Sequence, residues 1–196
     1  MQAHDWTSAR TGPRRGFTLL ELLTVMVIVG VVTAFVAPRI DLTSFRVDGA
    51  TRSIGTSLLA AQRLAVTRQH DVVVTFDTAA GVVRILDDGN DNGIADPGEH
   101  VTGIPVGDAV VFGRGGAPAR SASTSAITFT QVRNGLPALT FHRDGSASED
   151  GVVYLTSRRE VLAQDHPEDT HAISVTRSTG RAAWFHWVPP TWQRGF

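Results

Sequence analysis

The chain has 196 residues, with 18 Lys and Arg against 19 Asp and Glu, a formal net charge of −1 and no cysteine. The near balance removes the basic excess on which phosphate binding draws and the acidic excess of a solvating tail. Without a thiol there is no disulfide framework and no thiolate chemistry, so an exported domain must hold together by its core alone.

The first 16 residues are polar and carry Arg10, Arg14 and Arg15 against Asp5, so the chain that follows this segment has a net charge of −3. From Phe17 an apolar stretch of 21 residues runs to Ala37 and stops at Pro38. As a helix it spans roughly 30 Å, the thickness of a bilayer's hydrocarbon core. A secretory signal is cut after its apolar run. Here the small residue Gly16 precedes that run, and the positive leader favours a cytoplasmic N-terminus with everything beyond Pro38 on the outer side.

The competing reading on hydropathy alone is a plain signal anchor, cut nowhere. Glu21 argues for more, because a carboxylate in a membrane helix costs about 2.5–3.5 kcal/mol at the centre and somewhat less near an end. A fixed cation in the same low-dielectric setting would offset that cost. Cleavage after Gly16 creates one, the new amine of Phe17, which a neighbouring subunit could present to Glu21.

The stretch Gly16-Phe17-Thr18-Leu19-Leu20-Glu21-Leu22 resembles the processing signature of type IV pilins and pseudopilins at every position which that signature specifies. The resemblance implies cleavage between Gly16 and Phe17 by a prepilin peptidase and N-methylation of Phe17. It also implies assembly with other pilins or pseudopilins at the inner membrane through Phe17, Thr18 and Glu21.

Beyond Pro38, which removes a backbone donor and crowds the preceding turn, the helix is expected to kink and resume. Ala50, Ile54, Leu58, Ala61 and Ala65 recur at helical spacing between polar residues, so 38–70 reads as an amphipathic helix whose stripe packs on the domain's own sheet. Residues 71–196 read as a β-rich domain. Candidate strands are 71–76, 81–86, 109–112, 126–130, 139–142, 152–156, 172–175 and 182–187. With no helices interleaved, the expected class is α+β: a long N-terminal helix continuing into an amphipathic helix packed on an antiparallel sheet or sandwich. Gly113–Ser125 is expected to be a flexible loop, since Gly-Arg-Gly-Gly lacks the lysine and hydroxyl of a nucleotide loop.

The runs Leu139-Thr140-Phe141-His142-Arg143-Asp144-Gly145, Val152-Val153-Tyr154-Leu155-Thr156-Ser157, Ala172-Ile173-Ser174-Val175 and Thr179-Gly180-Arg181 are similar to the GspH/FimT family. That family comprises minor pseudopilins of type II secretion and minor pilins of type IV pili. The resemblance implies a non-enzymatic structural subunit that helps initiate or cap a pseudopilus, with a periplasmic C-terminal domain. The alternatives are a minor pilin, in assembly or DNA uptake, and an unprocessed membrane-anchored calcium-binding protein. Nucleic acid is not favoured as a partner: Ala182 and Ala183 follow Arg181, so the arginine pair of DNA-binding minor pilins is lacking.

Asp88-Gly89-Asn90-Asp91-Asn92-Gly93-Ile94-Ala95-Asp96-Pro97-Gly98-Glu99 satisfies the calcium-loop pattern D-x-[DN]-x-[DN]-G-x5-E. Hard calcium takes six to eight oxygens, and Asp88, Asn90, Asn92, Asp96 and Glu99 offer a suitable donor set. The flanks read as strands rather than helices, and the competing reading is an Asn/Asp/Gly hairpin loop.

Catalytic signatures are missing: no Gly-x-Ser-x-Gly, no His-Glu-x-x-His and no thiol occur. His166 and His171, among Asp165, Glu168 and Asp169, read as a solvated loop rather than a zinc site, and His142 and His186 as half-buried structural residues. In the tail, Trp184 is expected to cap the core and Trp192 to offer a docking surface.

Overall fold

The computed structural model describes residues 16–36 and 42–195. The leader and the kink expected at Pro38 lie outside the described residues. The chain divides into two compact units, Met1–Asp41 and Leu42–Phe196.

In the first unit, α1 covers Leu19–Val36, and all its residues but Glu21, Thr24, Gly30 and Thr33 are apolar. Thr24 returns its hydroxyl to the Leu20 carbonyl at 2.8 Å, so this polar side chain is satisfied within the helix itself. Eighteen residues make a helix about 27 Å long. Among the described residues no helix is long and apolar enough to cross a membrane. Phe17 and Thr18 precede the helix, and Ala37 lies outside the described residues.

The second unit begins with α2, Thr43–Arg68. Its buried residues are Val47, Thr51, Ile54, Gly55, Leu58, Ala61 and Ala65, the expected stripe extended by a turn toward the N-terminus, with Ala50 at its margin. Gln69 ends the helix in the left-handed region at φ 61°, its N–H returning to the Ala65 carbonyl at 2.9 Å.

Two five-stranded antiparallel sheets follow. The first has the order β3-β2-β1-β6-β5, with β1 Val72–Asp77, β2 Val82–Asp87, β3 His100–Pro105, β5 Val132–Arg133 and β6 Leu136–Phe141. The second has the order β10-β9-β8-β7-β4, with β4 Val110–Phe112, β7 Gly151–Ser157, β8 His171–Val175, β9 Ala182–Val188 and β10 Thr191–Arg194. A short helix, α3 at Arg158–Ala163, and a 3-10 turn at Pro167–Asp169 link β7 to β8.

One core joins these parts. Ile54 and Leu58 of α2 pack with Val74, Phe76, Leu139 and Phe141 of the first sheet and Val153, Leu155, Ile173 and Val175 of the second. Each such side chain contributes about 1.5–3 kcal/mol when fully buried. The strand period decides the faces: Val72, Val74 and Phe76 enter this core, while Val73 turns away to Leu86 and Ala138. On the far face of the second sheet, Val152, Tyr154 and Ala172 form their own cluster with Phe185 and Trp192.

The expected strand at 126–130 is missing, and β3, β5, β10 and the interleaved helix α3 are additions to the expected elements. Ala126–Thr130 is not a strand; it meets β7 through a single bridge, Ile127 to Val153. The amides of Thr130 and Gln131 go to the Glu149 carboxylate instead, at 2.8 and 2.9 Å. β3 carries Gly103 and Pro105 and is exposed along nearly its whole length, so no alternation marks it in the sequence. β10 follows the Pro189-Pro190 turn and pairs with β9 from Thr191–Val188 to Arg194–Phe185. Gly113–Ser125 is irregular as expected, yet it is tied down: Tyr154 Oη accepts the Arg120 N–H at 2.7 Å, and Trp192 Nε1 donates to the Pro118 carbonyl at 3.1 Å.

Candidate functional site

At the start of α1, Thr18 Oγ1 accepts the N–H of Glu21 at 3.2 Å, and the Thr18 carbonyl accepts the N–H of Leu22 at 3.1 Å. Thr18 is therefore the N-cap, and Glu21 is the third helical residue, the Ser/Thr-x-x-Glu spacing of a helix start. A capped first turn matters most in an apolar setting, where water cannot satisfy a free N–H. Phe17 is 84% exposed and Glu21 is exposed, and no other part of the described chain crowds Gly16. Gly16, Phe17, Thr18 and Glu21 thus lie within the first turn of α1 and the three residues that lead into it.

The Asp88–Glu99 loop connects β2 to β3 and gathers the five candidate ligands, while its other carboxylate, Asp91, accepts the Asp71 N–H at 2.6 Å. Asp88 is buried; its Oδ1 accepts the Asn92 N–H at 3.1 Å and its Oδ2 the Gly93 N–H at 2.6 Å. Asn90 and Asn92 each accept a backbone amide two residues on and donate Nδ2 to Asp96 Oδ2, at 2.8 and 2.6 Å. These two amides hold the Asp96 carboxyl below its ordinary range. Glu99 accepts the N–H of Gly89 at 2.9 Å and of Asp96 at 3.0 Å. Backbone amides thus meet the carboxylates of Asp88 and Glu99, and side-chain amides that of Asp96. Among the described residues no group of three or more His, Cys, Asp or Glu is arranged to hold a metal ion.

The Asp-Gly and Thr-Gly turns near the C-terminus form a clasp on α2. Gln62 Nε2 donates to the carbonyls of Gly145 and Thr179, at 2.8 and 2.6 Å. Asp144 accepts both the hydroxyl and the N–H of Ser146, which holds its carboxyl low and shapes the turn. These residues lock the sheets to the helix and offer no reactive group.

Residues 12–37 match the prokaryotic N-terminal methylation motif. Residues 50–179, more than half of the chain, match the family described as type II transport protein GspH. The chain belongs to the GspH family. The pilin-like protein PilA1 of Thermus thermophilus is 38% identical to it over 88 residues, 44% of this chain and 56% of that protein. The chain thus spans little more than half the length of that relative. The minor pseudopilin EpsH from the type 2 secretion system of Vibrio cholerae superposes with a TM-score of 0.48 at 11% identity, over 74% of this chain and 99% of that one.

In this GspH-family domain a buried polar network surrounds α3. Ser157 caps α3 by accepting the Glu160 N–H at 3.2 Å. Glu160, fully buried, accepts the N–H of Gly116 at 2.7 Å and of His166 at 2.6 Å. Asp169, also buried, takes the Ser157 hydroxyl at 2.5 Å and two Arg159 nitrogens at 2.8 and 3.0 Å. Its signal in the sequence is the capping box Ser157-Arg158-Arg159-Glu160. The network also pins the Gly115-Gly116 strap, since Glu160 fills the space a Cβ on Gly115 would need.

Trp184 packs against the core, and a Cβ on Gly55 would lie 3.0 Å from its ring, so any larger residue there requires the ring to shift by a few tenths of an ångström. Trp192 is engaged within the domain, its ring 6.1 Å from Tyr154, while the Arg120 guanidinium lies 3.4 Å over Phe185. Burial pushes the Arg120 pKa down. His171 is not in a solvated loop: it opens β8 with its side chain only 11% exposed.

Proposed function

We propose that this GspH-family chain is a minor pseudopilin, a non-enzymatic subunit that helps initiate or cap the pseudopilus of a type II secretion system. One observation carries the reading: a single chain joins the methylation motif at 12–37 to the GspH match at 50–179. In this reading residues 17–37 anchor the protein in the inner membrane and the β-rich domain is periplasmic. A prepilin peptidase cuts between Gly16 and Phe17 and methylates the new amine. Helix α1, apolar on every side, is then covered by the helices of other pseudopilins, and the Phe17 ammonium of one subunit neutralises Glu21 of another.

N-terminal mass spectrometry of the membrane fraction tests the first step. Wild-type cells should yield a chain beginning at methylated Phe17, and cells without the peptidase a chain that retains the leader. A leader retained in the wild type sinks the reading and leaves an unprocessed anchor.

A second reading, a minor pilin of a type IV pilus in assembly or DNA uptake, is favoured by the pilin-like relative in Thermus thermophilus. Deleting the gene separates the two. Loss of exported proteins with pili intact supports secretion, and loss of pili or of DNA uptake supports the pilin.

A further inference from the structure

His171 of β8 and His186 of β9 stand directly opposite each other in the ladder. Their ring centroids are 6.1 Å apart. They share a cavity of about 310 Å³ with Asp48 and Arg52 of α2, Trp184 and Glu168. The Nδ1 of His171 donates to the Asp169 carbonyl at 3.2 Å, which leaves the Nε2 lone pair toward Asp48 Oδ1, 3.9 Å away.

The charges around His171 are accounted for element by element. From α2 come Asp48 and Arg52, already paired with each other at 2.9 Å. From the 3-10 turn come Glu168 and Asp169, the latter held by Arg159 and Ser157. From β9 comes His186. Burial pushes His171 below the ordinary imidazole value of 6.5; its backbone bond to Asp169 and the charge of Asp48 oppose this, and His186 adds to it.

We propose that the His171–His186 pair is a pH-sensitive seat for the first turns of α2. With the buried His171 neutral Thr43–Arg52 rests on the second sheet, and protonation of His171 on acidification lifts it. The sign follows from linkage. A His171 exposed by local opening takes up a proton near 6.5, whereas the seated one refuses it until lower pH. The seat is therefore fully stable above 6.5 and weakens as the pH falls below that value. One proton coupled to opening makes the change at most about tenfold per pH unit.

Amide exchange of the full chain in detergent micelles, read by mass spectrometry at pH 7.5 and 5.5 and corrected for intrinsic rates, tests this. Peptides covering residues 43–52 should open up to about tenfold more at pH 5.5. His171→Gln should abolish that response and His186→Gln should weaken it. Equal protection of the wild type at both pH values, or a response kept in both variants, overturns the proposal. If His171→Gln does not fold, the wild-type ring-proton titration decides: a His171 midpoint at or above 6.5 overturns it as well.

Discussion

Gly180 lies so close to Gly145 that a methyl group on its α-carbon would collide with the Gly145 carbonyl oxygen. Gly145 belongs to the turn after β6 of the first sheet and Gly180 to the turn before β9 of the second, and Gln62 of α2 bonds to both turns. Helix and both sheets are thus joined here by hydrogen bonds, beside the apolar core they share. Gly180 also holds φ at 58°, a region costly for L side chains. Gly180→Ala should therefore lower unfolding stability by about 2–4 kcal/mol, from backbone strain and overpacking together. Gln62→Ala should cost about 1–3 kcal/mol, and the double variant less than the sum, because both act on one contact. Urea unfolding of the three variants measures this.

Glu160→Gln keeps the side chain's shape but turns an amide donor toward one of two backbone N–H groups that now meet an oxygen. One buried donor is left unsatisfied, at a cost of about 1–3 kcal/mol. Because either Gly116 or His166 loses its partner, limited proteolysis should cut within Arg114–Ser125 or within 164–167 sooner than in the wild type.

Thr18 and Glu21 have separable roles at the start of α1. Thr18→Val removes the cap, about 1 kcal/mol of helix stability, and should lower the yield of filament without stopping processing. Glu21→Ala should leave insertion and cleavage intact and abolish assembly with partner pilins. Glu21→Gln discriminates charge from hydrogen bonding, and assembly at wild-type level in either Glu21 variant would remove the proposed ion pair.

Calcium in the Asp88–Glu99 loop is proposed from its donor set. At a hundredfold excess over Kd, bound calcium adds about 2.7 kcal/mol, so about 10 mM calcium should raise the Tm by roughly 5 °C or more for a site near 10⁻⁴ M. Equal magnesium should not. Asp88 is a poor probe, because its carboxylate also holds the backbone of Asn92 and Gly93. Asp96→Ser is the cleaner variant. Equal melting curves with and without calcium would mean that the amide bonds close the loop alone. Since the amides of Asn90 and Asn92 hold the Asp96 carboxyl below 3.8, its contribution lasts down to that pH and is lost as the pH falls further.

Features that are local and periodic were legible before folding is considered. Gly16 before an apolar run, Glu21 within it and the α2 stripe from Ala50 to Ala65 announce themselves through spacing, and the strands Val72–Asp77 and Gly151–Ser157 through short β-branched and aromatic runs that must be buried. The calcium-like loop was legible as a cluster, but its internal bonding was not, since only backbone geometry shows that Asn90 and Asn92 donate to Asp96. Contacts between distant segments were settled by the tertiary structure alone. Gln62 meets carbonyls 83 and 117 residues away, Gly116 meets Glu160 across 44, and Trp192 reaches Pro118 across 74. No periodicity encodes such pairs; they form because buried donors must find acceptors wherever the packed sheets bring them. For the same reason β3 went unread: an edge strand exposed on both faces carries no burial pattern, and its pairing with β2 exists only in the sheet.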